Sequence, residues 1–289
     1  MLESIKHLRG VAMPQDVLVT GARGKTGREV VRQLHDLTVR AGSSKPDAAP
    51  SRNVRPVAFD WHDPATWPAA IHGADAVYLM RPDLPDAPRL VAGLVDLNPE
   101  AHVVLLSEQG AAGLTPDHWV RQVEAAVTDR AATWTLLRPS WFHQVLTDPR
   151  FYRDSIRDDR VLGLPSGGAP IAWVDARDIA AVAVAALRAP ADHQGQAYTL
   201  TGPGALTVEA VAAALSARLP QPVRADDPPR QQALNGLDPW TADLLDDIYD
   251  RVERGEFGEL SNDVEKVTGR QPIAVAEFID THLGHWVRR

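Results

Sequence analysis

Apolar residues recur through the first half of the chain in short continuous runs, and the stretches between them carry apolar residues at helical spacing. The runs "DVLVT" (16–20), "LTVRAG" (37–42), "RPVAFD" (55–60), "ADAVYLM" (74–80), "AHVVLLS" (101–107) and "TWTLLRP" (133–139) read as buried strands. In "GREVVRQLHDL" (27–37), Val30, Val31, Leu34 and Leu37 share one helical face. Helices are also expected over "DPATWPAAIHG" (63–73), from Pro88 to Leu97, and over "TPDHWVRQVEAAVTDR" (115–130), with Pro116 and Asp117 in its first turn. This alternation predicts an α/β fold with a doubly wound parallel sheet of Rossmann type.

Beyond Pro139 the alternation breaks up. "RVLGLPSGGAPIAWV" (160–174) suggests two short extended pieces around a glycine turn, and "DARDIAAVAVAALRAP" (175–190) a helix with an alanine-rich face. A strand, "GQAYTLTG" (195–202), and a helix capped by Thr207 follow. "PWTADLLDDIYDRVERGEF" (239–257) and "PIAVAEFIDTHLGHWV" (272–287) complete a helical C-terminal part. The expected organisation is a dinucleotide-binding domain over 14–145 and a smaller, mostly helical substrate lobe over 146–289. The lobe would be partly interleaved with the sheet and cover its carboxyl edge, where ligands bind in this architecture. The start, "MLESIKHLRGVAMPQ", lacks the long apolar core of a signal peptide and reads as an upstream extension, with Met13 an alternative start.

The stretch "VTGARGKTGRE" (19–29) admits two readings. A phosphate-wrapping P-loop needs a glycine five residues before Gly24, and Val19, inside the first strand, stands there. A dinucleotide turn needs a strand, close-set glycines and a helix whose amides face a pyrophosphate. Gly21, Gly24 and Gly27, between "DVLVT" and "GREVVRQLHDL", meet that need in the form G-x-x-G-x-x-G. The dinucleotide reading wins.

Composition narrows the chemistry further. There is no cysteine, which excludes disulfides, thiolate catalysis and cysteine–metal sites. A net charge of −8 gives no electrostatic case for nucleic acid or an anionic membrane. No apolar stretch reaches membrane-spanning length, so a cytoplasmic protein, monomer or homodimer, is expected. No H-E-x-x-H helix or G-x-S-x-G elbow occurs and the ten histidines are dispersed, so no metal is expected. The acidic run "DLLDDIYDRVERGE" reads as the wet face of a helix.

The chain resembles the NmrA-like, atypical short-chain dehydrogenase/reductase family. The resemblance spans nearly everything from Asp16 onward and rests on "VTGARGKTGREVV", "GADAVYLM" and "WTLLRPSWFHQ", the last similar to that family's L-R-P-x-x-F segment. It continues through "IAWVDARDIAAVAVAAL", "GQAYTLTGPGALTVEAVAAAL" and "DVEKVTGRQPIAVAEFIDTH". The "GARGKT" form is similar to the branch that holds ergot-alkaloid reductases and their bacterial relatives. The resemblance implies NADP(H) or NAD(H) laid across Gly21, Arg23, Gly24, Lys25, Thr26 and Gly27. Asp60, Trp61, Met80, Ser107 and Pro139 would complete the cofactor site, with Trp61 stacked near the adenine. After the second strand come Arg40, Ser43, Ser44 and Lys45, and no carboxylate before Asp47. That favours NADP(H), whose 2′-phosphate calls for cations, with NAD(H) as the alternative.

Typical members of the wider superfamily use Tyr-x-x-x-Lys as a proton relay. None of the four tyrosines, Tyr78, Tyr152, Tyr198 and Tyr249, has a lysine four residues on. Val120 stands where the family's lysine would lie, four residues before Glu124. Either the substrate needs no protein acid, as when hydride adds to an iminium, or another group supplies the proton. The candidates are Glu108, His118 and His143. Arg81, Gln109, Trp141 and Phe142 are expected to shape a substrate pocket suited to a planar aromatic molecule. The expected function is NADPH-dependent reduction of a small organic electrophile such as a quinone, an imine or an aromatic biosynthetic intermediate. A non-catalytic NADP(H) sensor and a non-redox cyclase or lyase are the alternatives.

Overall fold

A computed structural model describes residues 15–46 and 51–287. The N-terminal extension with Met13, the expected domain start at residue 14, and Asp47 lie outside the described residues. Seven strands form one parallel sheet in the order β3-β2-β1-β4-β5-β6-β8. They are β1 (Asp16–Val19), β2 (Thr38–Ser43), β3 (Val54–Ala58), β4 (Ala76–Met80), β5 (His102–Leu106), β6 (Thr133–Pro139) and β8 (Gln196–Leu200). Two short strands, β7 (Val161–Gly163) and β9 (Arg224–Asp226), pair separately. The order reverses between β1 and β4, and a groove opens there at the strands' carboxyl ends.

Helices cover both faces, which is why the central strands are apolar throughout. On one face α1 (Gly27–Gln33) and α5 (Ala176–Arg188) bury Val30, Ile179, Val182 and Ala183 against β1, β4 and β6. On the other, α2 (Trp67–Ile71), α3 (Ala87–Asp96) and α4 (Trp119–Thr128) pack Trp67, Leu90, Leu94 and Val123 over β4 and β5. Residues 176–200 thus return to the nucleotide-type sheet: α6 (Pro190–His193) leads into β8, which pairs with β6.

A third core, centred on Trp173, Val211, Phe278 and Trp286, belongs to the C-terminal lobe. The lobe holds α7 (Val208–Ser216), α8 (Arg230–Leu234), α9 (Pro239–Glu253) and α11 (Val275–His282), whereas α10 (Asp263–Thr268) returns to pack Val264 on the first face of the sheet, against α5 and β8. Thr207 caps α7, its hydroxyl accepting from Ala210 N at 3.2 Å.

Several helices are shorter than expected, and for two of them the cause is visible. The helix placed at 115–130 begins only at Trp119, because His118 is the cap: its Nδ1 accepts from Val120 N at 3.2 Å. Helix α1 stops at Gln33, and the carbonyls of Leu34 and Leu37 are taken by the Asn53 amide at 2.8 Å each.

Candidate active site

The groove along the sheet's carboxyl edge has two connected poles. One, about 350 Å³, is bounded by Gly21, Arg23, Ser43, Ser44, Asp60 and Trp61. The other, about 520 Å³, is bounded by Lys25, Thr26, Arg81, Ser107, Glu108, Pro139, Trp141 and Phe142. Gly24, Trp61 and Met80 line both.

Backbone closeness explains the glycines. Gly21 has φ +61°, and a Cβ there would stand 2.1 Å from Met80 Cε. At Gly27 a Cβ would stand 2.3 Å from the carbonyl oxygen of Gly21, so the start of α1 sits directly on the turn. Gly24 donates its N–H to that same carbonyl at 2.8 Å. A turn this tight leaves room for an extended diphosphate to approach backbone, which suits a dinucleotide.

At the first pole Trp61 belongs to an aromatic cluster, edge-on to Phe59 at 5.0 Å and to Trp67 at 5.5 Å. Asp60 Oδ1 accepts from His62 N at 2.9 Å and shapes the turn after β3. Arg23 crosses to the end of β2, its Nη1 donating to Lys45 O at 2.9 Å, and Ser43 Oγ donates to the same carbonyl at 3.2 Å. Arg40 is not part of this site. Its guanidinium is buried at the opposite edge of the sheet, paired with both Asp16 oxygens at 2.9 and 2.7 Å and bonded to the carbonyls of Ala70 and His72. Arg40 lies mid-strand in β2, and its side chain runs back to Asp16 at the start of β1 and to the end of α2, so its cation serves the fold.

The second pole is built from ion pairs and aromatic rings. Glu108, at the end of β5, takes Arg81 on Oε2 at 2.5 Å and Arg251 of α9 on Oε1. Arg81 also pairs with Asp83 at 3.0 Å and lies 4.7 Å over the Trp119 ring. Lys25 pairs with Asp148 at 2.5 Å and sits 4.5 Å over the Phe151 ring. Burial lowers the Lys25 ammonium below its ordinary value. Hydrogen bonding from Arg150, and then from Lys25, holds the Asp148 carboxyl well below the usual carboxylate range. Trp141 stacks on Tyr249 at 6.3 Å and meets Phe257 edge-on at 6.0 Å, so one wall of the pole is flat and aromatic. Ser107 donates to the buried Glu124.

Several expected site residues lie elsewhere. His143 is completely buried beside Phe278, with Nδ1 3.5 Å from Asp175 Oδ2, and it does not face the groove. His118 uses Nδ1 as a helix cap and turns Nε2 toward Asp247 at 3.5 Å, outside the cleft lining. Gln109 is buried at the junction of sheet and lobe, where its amide donates to Glu259 O at 2.8 Å; it joins the two parts and lines neither pole. Both carboxylate oxygens of Glu108 are held by guanidiniums, so it serves as an anchor between them. The structure adds Ser140, Arg150, Phe151, Ile248 and Phe257 to the second pole. Ile248 and Phe257 come from a lobe more than a hundred positions away from the glycine turn, and no local sequence signal marks them.

A family model described as NAD(P)H-binding matches residues 21–190. The chain is 35% identical to an NAD(P)H azoreductase of Xenophilus azovorans, over 92% of this chain and 97% of that one. It is 33% identical to a (4-alkanoyl-5-oxo-2,5-dihydrofuran-3-yl)methyl phosphate reductase of Streptomyces griseus, over 88% and 93% of the two chains. The fold is similar to that of an NADPH-dependent quinone oxidoreductase from Escherichia coli, with a TM-score of 0.76 at 20% identity, covering 92% of this chain and 99% of that one. The chain belongs to the NAD(P)H-binding family, and its fold is similar to that of the negative transcriptional regulator NmrA, with a TM-score of 0.72 at 16% identity, covering 92% of this chain and 94% of that one. A member of this family binds NAD(P)H, and the groove fits it: a glycine cradle lies at its centre, with an aromatic cluster at one pole and an aromatic wall at the other.

Proposed function

We propose that this NAD(P)H-dependent reductase of small organic substrates acts on a planar aromatic electrophile. The observation that carries the reading is the continuity of the groove. A dinucleotide crossing the glycine turn ends beside Ser107 and Pro139, under the flat wall of Trp141 and Phe257. The bound nicotinamide would supply hydride. Lys25, Arg23, Ser43 and Ser44 would hold phosphate and ribose, and the lobe residues Ile248, Phe257 and Phe151 would exclude water. NADP(H) is favoured over NAD(H), since Arg23 lies at the end of β2 and no carboxylate occurs between Gly42 and Pro46. The names of the relatives, an azoreductase and a quinone oxidoreductase among them, fit flat conjugated acceptors.

No tyrosine is among the described residues that line the second pole, and the one lysine there, Lys25, is paired with Asp148. The reading therefore selects acceptors that need no protein acid, or whose reduced anion is delocalised and protonated by solvent. The organisation into a nucleotide domain and a substrate lobe, a cytoplasmic location, a monomer or homodimer and the absence of nucleic-acid partners belong to the same reading. Among the described residues no helix is long and apolar enough to cross a membrane.

The test is NADPH deuterated at C4, turned over with a panel of azo dyes, quinones and cyclic imines. Label should appear in the reduced product, and Trp141→Ala should raise KM or lower kcat with NADPH affinity nearly intact. NADPH bound tightly with no oxidation across the panel would overturn the reductase reading in favour of a sensor.

A further inference from the structure

Ser107 is wired into a hydrogen-bond circuit that fixes which way its hydroxyl points. Glu124, on α4 and 2% exposed, accepts from Ser107 Oγ on Oε1 at 2.7 Å. Arg138 of β6 donates Nε to Oε1 at 2.9 Å and Nη2 to Oε2 at 2.8 Å, a bidentate fit. Arg121 donates Nη1 to Oε2 at 2.8 Å. Guanidinium nitrogens only donate, so both oxygens of Glu124 act as acceptors, and the single proton between Ser107 and Glu124 belongs to the serine. A hydroxyl has one proton and two lone pairs. With the proton directed inward, Ser107 meets the cleft with lone pairs alone. Ser140, the other serine lining this pole, likewise turns its hydroxyl onto a protein acceptor, the Phe257 carbonyl at 3.4 Å.

We infer that Ser107 is a specificity-determining hydrogen-bond acceptor, selecting an electrophile that presents an N–H, such as a protonated C=N group, over one that presents a carbonyl oxygen. Glu124 is the positioning residue that imposes this polarity. The inference rests on the reductase reading above. In the step concerned, hydride forms a C–H bond at the iminium carbon and the C=N π pair moves onto nitrogen. The positive charge is lost, the N–H is retained, and NADPH is oxidised to NADP⁺ in balance. No proton leaves or enters the protein. Because the nitrogen is cationic only before transfer, the contact to Ser107 is strongest in the bound substrate and therefore acts on KM more than on kcat.

The probes are 3,4-dihydroisoquinolinium, its N-methyl analogue, which accepts hydride but has no N–H, and 1,4-naphthoquinone. Ser107→Ala should raise KM for the N–H iminium about tenfold or more while kcat stays within about twofold. Turnover of the N-methyl iminium and the quinone should fall much less than turnover of the N–H iminium. Glu124→Gln, which no longer dictates the serine's polarity, should lose the same preference with NADPH affinity retained. Calorimetry of the two iminium ions on NADP⁺-loaded protein reads the N–H preference without turnover, and Ser107→Ala should abolish it. An equal loss on the quinone would overturn the inference, since the serine would then be donating. A fall in NADPH affinity in Ser107→Ala would also overturn it, assigning the acceptor to the cofactor's carboxamide. If no probe is reduced the reductase reading fails, and the calorimetric preference alone still decides the polarity of Ser107.

Discussion

Arg251 of α9 and Glu108 at the carboxyl end of β5 are joined by an ion pair that ties the C-terminal lobe to the sheet. Arg251 is completely buried, reaches Asp247 at 3.0 Å and lies 5.4 Å over the Phe257 ring. One guanidinium thus holds the lobe down and supports the aromatic wall of the substrate pole. Removing Arg251 leaves Glu108 with Arg81 as its partner, so the cost is that of a lost charge-assisted hydrogen bond, about 1.5–3 kcal/mol. Arg251→Ala should lose about that much stability in urea unfolding, and the surviving folded enzyme should show a raised KM as Phe257 loosens.

Arg40 gives the opposite kind of prediction. Its cation is closed off by Asp16 and two carbonyls on the far edge of the sheet. Arg40→Ala should destabilise the protein by about 3 kcal/mol and leave the NADPH-to-NADH affinity ratio unchanged in calorimetric titrations. A selective loss of NADPH affinity would return the residue to the cofactor site.

Two glycines separate packing from propensity. A Cβ at Gly27 would press on the Gly21 carbonyl at 2.3 Å, whereas one at Gly93, inside α3, would meet Trp67 at an ordinary 3.6 Å. Gly27→Ala should push α1 off the turn and weaken NADPH binding at least about tenfold, with overpacking costing about 1–3 kcal/mol. Gly93→Ala should leave binding intact and stabilise the fold by about 0.4–1 kcal/mol. Paired titration and thermal unfolding of the two variants check this.

His102 predicts a pH dependence. It is buried on β5 between Thr133 Oγ1 at 3.0 Å and Thr135 Oγ1 at 3.1 Å. Thr135 donates its hydroxyl to His193 O, so Nε2 of His102 carries the proton and Nδ1 accepts from Thr133. Burial, with His193 nearby, lowers its pKa to about 4. Above the unfolded pKa near 6.5 both states are neutral and the group is silent. Below it the unfolded chain binds a proton that the folded chain refuses until about pH 4. Stability should therefore fall between about pH 6.5 and pH 4, by on the order of 3 kcal/mol from this group. His102→Gln should flatten that part of the urea-unfolding pH profile.

The nucleotide half was legible because its signals are local. A buried parallel strand announces itself by a continuous apolar run, and "TWTLLRP" matches β6 residue for residue. The glycine turn was legible for the same reason: three glycines within seven residues, between a strand and a helix, record close backbone approach. The proton-donor candidates were not. Glu108, His118 and His143 are polar residues near strand or helix ends, and composition gives no direction to a side chain. The chain packs one into an interlobe ion pair, one into a helix cap and one into the core.

By itself the sequence determined the parallel sheet and the dinucleotide turn, since each follows from periodicity or from steric need within a few residues. It also shows that no Tyr-x-x-x-Lys motif occurs. Only the tertiary structure decided that Arg40 serves Asp16, that Arg251 reaches Glu108, and that Glu124, Arg138 and Arg121 together turn the Ser107 proton away from the cleft. Those are pairings between distant charges. Which cation meets which carboxylate depends on how strands register and lobes dock, and neither is written in the spacing of residues along the chain.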